Sequence, residues 1–568
     1  MKNEPVVFDK PDNDRVKYSV KKLNERREDF DAASKKIIRR FIVPTQREHD
    51  EKTAETLISQ IISKKKQILS MLQQAKRSVS RTGRPRSRSL CSGTGSGGLA
   101  ACQKRINGRF IPERPGKARV CARTLPDFSP PACHRARSSL TIKELDFPPA
   151  ETYFPVNSQG NIMQGGLIMP GFELMGPEEL KEVMEVMETG VLMRYGFDSE
   201  RRGVFKVRQF EEEFARYCGA GYALGVTSGS SALKIALTAL DVGPGDEVLV
   251  PAFTFLATWE AVLEVGAIPV MTDIDETLNM DPADMERKMS PYTKAVVPVH
   301  MCGSGARIDK ILETARRHNL LVLEDNAQGC GGSFSGKKLG TFGDMGIFSF
   351  DYYKTMTTGE GGMVITNSET LYHRSDEYHD HGHDHNPKVS RAMEGRSILG
   401  FNYRMNELQG AIGLAQLRKV DAMIAEQKKN KAAIKGMLSS AKGVTFRELV
   451  DPQGDTATFL AFNLPDEGTA EKFQQALAAG GVDTVCYKRN AWHYLPNWEH
   501  FLSQSTANSK KFPFSSPMNG RTVRYDRQDI PQAEDLLGRT LVMGINIRMP
   551  QERLAAIRQA IEKAADVL

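Results

Sequence analysis

The sequence has no run approaching the roughly 18 to 20 apolar residues that a membrane-spanning helix needs. Close cysteine pairs are missing too. Cys91, Cys102, Cys121, Cys133, Cys218, Cys302, Cys330 and Cys486 show neither the spacing of a disulfide framework nor that of a zinc site. The opening stretch, MKNEPVVFDKPDND, lacks the basic-then-apolar layout of a secretory signal. These absences lead to the expectation of a protein of the reducing cytoplasm with no membrane partner. Acidic residues are scarce in one region only. Residues 1–145 hold 33 Lys and Arg against 15 Asp and Glu, and the rest of the chain holds 44 against 55. The net charge of +7 therefore averages two polypeptides of different kinds.

What is present suits a globular protein of two or three domains: 568 residues, 40% hydrophobic and 26% charged. In residues 1–78 the apolar groups Ile37, Ile38, Phe41, Ile42 and Leu57, Ile58, Ile61, Ile62 have the spacing of two amphipathic helices. They read as a helical appendage without a chemical motif. Residues 79–145 read as a basic, disordered linker, because a tract so rich in Arg, Ser, Gly and Pro buries too little apolar surface to offset chain entropy. Its arginines also suit nucleic acid, but Phe110 and Phe128 are too few aromatics for a stacking platform. The same composition arises when DNA is read in the wrong frame. A solvated linker is the favoured reading, and a nucleic-acid partner is not expected.

From about residue 165 short β-branched runs alternate with amphipathic helices. Strands are expected at 223–226, 247–250, 269–272, 295–299, 320–323, 347–350 and 363–366, and helices at 232–240, 307–318, 422–438 and 551–564. Such alternation implies an α/β fold: a large domain, 146–418, with a mainly parallel sheet covered on both faces. A smaller α+β domain, 419–568, follows it.

Three segments carry chemistry. The turn Thr227-Ser228-Gly229-Ser230-Ser231 joins a strand to a helix, where backbone N–H groups can close on a phosphate; many such turns are only helix caps. Glu324-Asp325-Asn326-Ala327-Gln328 follows a strand, where a carboxylate can hold a pyridinium nitrogen protonated or merely cap a helix. Lys354 follows Ser349-Phe350 and precedes Gly359-Glu360-Gly361-Gly362. A lysine forms Schiff bases when its amine is kept neutral by its surroundings, although a lone lysine is usually a surface charge. The order of phosphate turn, acid and lysine sets this one apart.

Residues 165–568, roughly 400 of the 568, resemble the DegT/DnrJ/StrS family of sugar aminotransferases. The likeness runs through Gly229-Ser230-Ser231-Ala232-Leu233, Gly245-Asp246-Glu247-Val248 and Pro251-Ala252-Phe253-Thr254-Phe255-Leu256-Ala257-Thr258. It continues through Val299-His300, Glu324 to Gln328, Lys354, the glycine-rich turn, and Gly400-Phe401-Asn402-Tyr403-Arg404-Met405. The resemblance implies an aspartate aminotransferase-like large domain of fold type I and pyridoxal 5′-phosphate as cofactor. It implies that Lys354 forms the internal aldimine and shuttles a proton, and that Asp325 pairs with the pyridine nitrogen. Gln328 would approach the 3-hydroxyl and Phe255 would stack on the ring. Ser230, Ser231 and Ser349 would hold the phosphate, with Asn402 arriving from the other subunit of a homodimer.

Glutamate is the implied amino donor, and the implied setting is amino-sugar or surface-polysaccharide biosynthesis, including lipopolysaccharide. A branch of the family has histidine at the lysine position and performs a sugar 3-dehydration; Lys354 favours aminotransfer. A non-catalytic binding or regulatory protein is the other alternative, and Lys354 together with Asp325 argues against it. Residues 170–173 and 189–197 resemble members near the 8-amino-3,8-dideoxy-octulosonate transaminases, which leaves Arg194 either a partner for a substrate carboxylate or a structural ion pair. His379, His381, His383 and His385 alternate in HDHGHDH. Pocket lining around His381-Gly382 is favoured over a metal site, and no metal is expected.

Overall fold

The computed structural model describes residues 171–515, 520 and 524–568; the readings for 1–145 lie outside them. The chain divides into Met1–Arg135 and Ala136–Leu568, and every described residue lies in the second unit.

Seven strands form the main sheet: β1 (Tyr222–Val226), β2 (Glu247–Pro251), β3 (Ile268–Thr272), β4 (Thr293–Val296), β5 (Leu321–Asp325), β6 (Met345–Ser349) and β7 (Gly362–Thr366). Their order is β1-β7-β6-β5-β4-β2-β3. β7 runs antiparallel to both β1 and β6, and the other six strands are parallel to one another. Six strands therefore end at one edge, where Val226, Pro251, Asp325 and Ser349 lie. The strand expected at 295–299 is observed at Thr293–Val296, with pairing resuming as a single bridge between Val299 and Asp325.

The two-residue period of the strands divides their side chains between two cores. Leu224, Val226, Val248, Val250, Leu323, Ile347 and Val364 pack on one face with helices α3 (Gly229–Ala239) and α4 (Leu256–Glu264). On the other face, Ala223, Phe348, Met363 and Ile365 pack under α2 (Lys206–Cys218) with residues of Glu407–Leu417. Leu249, Val296 and Val322 pack there under Ile308–Arg317. With both faces covered, the strands are apolar nearly throughout, as buried parallel strands are. α1 is Pro177–Thr189, and its last turn ends on Gly190 in the left-handed region.

A second, antiparallel sheet of three strands holds Thr445–Phe446, Phe459–Asn463 and Thr540–Gly544. Its core includes Ile434, Phe462, Phe473, Leu541 and Ile561, contributed in part by Val420–Leu438, Glu467–Ala479 and Gln551–Ala564. The stretch 492–495 leaves that region to lie beside the residues after β2. Leu495 N–H donates to Ala252 O, Thr254 N–H to His493 O and Leu256 N–H to Trp492 O.

Candidate active site

The end of β1 turns through Thr227 and Ser228 into α3. Ser228 Oγ accepts from Ser231 N–H at 3.1 Å, and Ser231 Oγ accepts from Ser228 N–H at 2.9 Å. Ser231 Oγ also donates to Ser228 O at 2.8 Å and lies 3.0 Å from Thr227 Oγ1. Ser230 is exposed, and it and Gly229 carry the first-turn N–H groups that a helix leaves open. The turn is pressed against the neighbouring strands. A Cβ on Gly229 would meet Ser349 Cβ at 2.7 Å, and one on Gly362 would meet Ser228 O at 2.4 Å. Only glycine fits at either place, and the outcome is that Ser349 adjoins the serine turn.

At the end of β5, Asp325 is buried, with Oδ2 accepting from Thr258 Oγ1 at 2.8 Å and Oδ1 from Ala327 N–H at 3.1 Å. Burial raises its pKa, outweighing those two bonds and the charges of Lys354 and His300. Beyond β6, Lys354 N–H donates to Asp351 O at 3.1 Å, and Lys354 O accepts from Gly171 N–H at 3.1 Å. Burial lowers the pKa of its amine against the opposing pull of Asp351 and Asp325. Burial thus disfavours the charged form of both the amine and the carboxylate, and each partly offsets the other's shift.

Phe255 opens α4 and is 38% exposed, which rules out an ordinary core aromatic; its ring centre is 6.0 Å from Lys354 Nζ. Gln328 is buried, and its Oε1 accepts from Cys302 N–H at 2.9 Å. Asn402 is exposed on a segment whose Arg404 bridges to Val226, and its Oδ1 accepts from Arg404 N–H at 3.3 Å. Seven of the eight expected residues thus gather at the ends of β1, β2, β5 and β6, while Asn402 is exposed on the segment that pairs with the end of β1 through Arg404 and Tyr403. Two residues with no role expected from sequence join the group: Thr258, through Asp325, and His493, through Gln328.

The donor set suits a phosphorylated pyridine. N–H groups and a hydroxyl of the serine turn, a buried carboxylate, an exposed aromatic ring and a buried amine all follow the C-terminal ends of strands at one sheet edge.

The rings of His379 and His383 each lie 6.1 Å from that of His385, yet among the described residues no group of histidines, cysteines and acids is placed to hold a metal. His379 ends its helix, His381 and His385 have positive φ, His383 pairs with Glu394, and His385 bridges Asp376 and Asp380. Burial would lower the His385 pKa, but its two carboxylate bonds outweigh that and raise it to about 9. Arg194, which sequence left between two roles, forms an ion pair with Glu211 at 2.6 Å, both side chains largely buried. Arg194→Met is expected to destabilise the protein by about 3–5 kcal/mol, because Glu211 would be left buried and uncompensated. Urea unfolding checks this. An arginine held for substrate would instead raise KM with the unfolding midpoint unmoved.

Residues 173–562 match the model of the DegT/DnrJ/EryC1/StrS aminotransferase family. GDP-perosamine synthase of Caulobacter vibrioides is 46% identical over 222 residues, 39% of this chain and 58% of that protein. The match therefore spans about three fifths of that relative's length. GDP-perosamine synthase of Vibrio cholerae is 38% identical over 321 residues, 56% of this chain and 84% of that protein. Among solved structures, an aminotransferase from Psychrobacter cryohalolentis superposes with a TM-score of 0.59 at 28% identity, covering 68% of this chain and 96% of that one.

Proposed function

Because the chain belongs to the DegT/DnrJ/EryC1/StrS aminotransferase family, we propose that it moves an amino group from glutamate to a keto or aldehyde carbon of a sugar, with pyridoxal phosphate as cofactor. The observation that carries this reading is the meeting of Lys354, Asp325 and the serine turn at one sheet edge. When bound, the cofactor supplies a carbonyl for the amino group and a protonated ring that takes up negative charge from the substrate carbon. Asp325 holds that ring proton. The Lys354 amine takes the proton from the amino donor's carbon, and in the return half gives one to the sugar carbon. Phe255 would cover a ring face, and Gln328 would donate to the ring's 3-oxygen. Ser230, Ser349 and the first N–H groups of α3 take the phosphate, while Ser231 shapes the turn that presents them.

Asn402 would complete the phosphate site from a second copy of the chain. Leu399 and Phe401 beside it are 95% and 63% exposed, an apolar surface that a second copy would cover. With lysine rather than histidine at position 354, aminotransfer is favoured over 3-dehydration. The finer substrate reading, an 8-oxo-octulosonate, rests on the likeness at 170–173 and 189–197, and Arg194 is already paired with Glu211.

The holoenzyme is expected to absorb at about 410–430 nm and to bleach on addition of glutamate. A stable band that glutamate leaves untouched would sink the glutamate half. Mass spectrometry of products from nucleotide-linked 4-ketohexoses and an 8-oxo-octulosonate, with the glutamate-loaded enzyme, then assigns the sugar. No aminated product from any carbonyl sugar would sink the other half.

A further inference from the structure

His493 has no part in any motif, yet its ring meets the site from the 492–495 stretch. It lies 5.4 Å from the ring of Phe255 and 5.2 Å from that of Tyr487, centre to centre. Its Nδ1 is 3.1 Å from Asn490 Oδ1 and its Nε2 is 3.4 Å from Gln328 Nε2. A side-chain oxygen only accepts and an amide nitrogen only donates. The imidazole must therefore carry its proton on Nδ1 and offer a lone pair from Nε2. Burial and the nearby charge of Lys354 push the His493 pKa down to about 3, so the ring stays neutral across the working pH range.

Gln328 is thereby held from both ends. Its Oε1 accepts from Cys302 N–H, and one amide N–H points to His493. Turning the amide over would set two donors against each other at Cys302 and two acceptors against each other at His493. The second N–H remains for another acceptor.

We propose that His493 is a positioning residue which, by accepting one N–H of Gln328, fixes the other N–H for donation to the 3-oxygen of the cofactor ring. This rests on the cofactor reading above. A donor at that oxygen favours its anionic form and adds one hydrogen bond to cofactor binding. Packing alone is the competing role, and a phenylalanine keeps the packing while removing the acceptor.

The test uses the full chain reconstituted with pyridoxal phosphate. His493→Phe is expected to weaken cofactor binding about 5- to 10-fold, the effect of one hydrogen bond. It should also raise the pH midpoint of the visible band by about half a unit, because the anionic 3-oxygen loses support. His493→Gln, whose oxygen can reach the same amide, should restore most of both. In a Gln328→Ala background, or Gln328→Met where the alanine variant unfolds, His493→Phe should change neither. Binding and midpoint within twofold and 0.1 unit of wild type (roughly the resolution of such titrations) would overturn the proposal. So would an equal effect of His493→Phe with and without Gln328. A wild-type protein that develops no visible band at all would remove the cofactor reading itself, and the proposal with it.

Discussion

Replacing Lys354 by alanine is expected to lower the transamination rate by about three to four orders of magnitude, near the upper limit of what a positioned proton carrier contributes. Both halves of the reaction need a proton moved at a carbon atom, and a carrier for that must be neutral in one state and within reach in both. Lysine in water is charged and fails the first condition. Here burial lowers the amine's pKa against the opposing pull of Asp351 and Asp325, which favours the neutral form relative to a lysine in water. The substitution removes only the side chain. The bonds that set the loop, from Lys354 N–H to Asp351 O and from Gly171 N–H to Lys354 O, are backbone bonds and survive it. The serine turn and Asp325 also stay, so the variant should fold and still bind the cofactor without a covalent link. Stopped-flow absorbance of the glutamate half and a binding titration separate the two properties. Turnover at even a tenth of wild type would remove Lys354 from this role.

The strands were legible because each is a short, mainly apolar run between turn residues, and their alternation with helical spacing dictated a mainly parallel sheet. β7 was expected as a strand at 363–366, but its antiparallel direction was not legible. Gly359 to Gly362 marks a turn, but nothing in that composition says that the chain re-enters the sheet between β1 and β6. The helix Gln551–Ala564 was found to the residue, since Pro550 precedes it and its apolar positions keep the 3.6-residue period. The strand placed at 295–299 slid towards its N-terminus because Pro298 has no N–H for a central ladder.

Within the site, serine turn, acid and lysine could be ordered from sequence because parallel strands bring their C-terminal ends to one edge. The setting of the Ser231 hydroxyl was not legible for a local reason: sequence shows that a serine is present, and only the fold shows its oxygen 2.8 Å from Ser228 O and 3.0 Å from Thr227 Oγ1. His493 is 165 residues from Gln328, and no periodicity links a loop residue to a partner that far away. The alternating histidines were read as pocket lining around His381-Gly382 rather than as a metal site. Their local geometry was not legible: a helix ends at His379, and His381 and His385 take left-handed backbone conformations.

Asp325→Asn is expected to slow the glutamate half-reaction by about two to four orders of magnitude while the cofactor stays bound. Asparagine can keep the geometry. Its oxygen still accepts from Ala327 N–H, and its amide group can donate to Thr258 Oγ1, which in turn can donate to Thr254 Oγ1, 2.9 Å away. Packing at this buried position changes little, because the two side chains are nearly the same size. The loss is the negative charge. Burial already raises the Asp325 pKa, so the carboxylate is held ionised less firmly than in water unless a cation comes beside it. A protonated ring nitrogen is such a cation, and each charge then keeps the other in place. Leaving one partner of a buried pair without the other commonly costs about 3–5 kcal/mol. Here that cost falls on the step in which negative charge from the substrate carbon enters the ring, because without its proton the ring takes up that charge poorly. If Asp325 only shaped the turn before Gln328, asparagine would serve nearly as well, since either side chain accepts the same N–H two residues on. Single-turnover absorbance with glutamate distinguishes the two roles, and a rate within about threefold of wild type, less than 1 kcal/mol of barrier, would sink the electrostatic one.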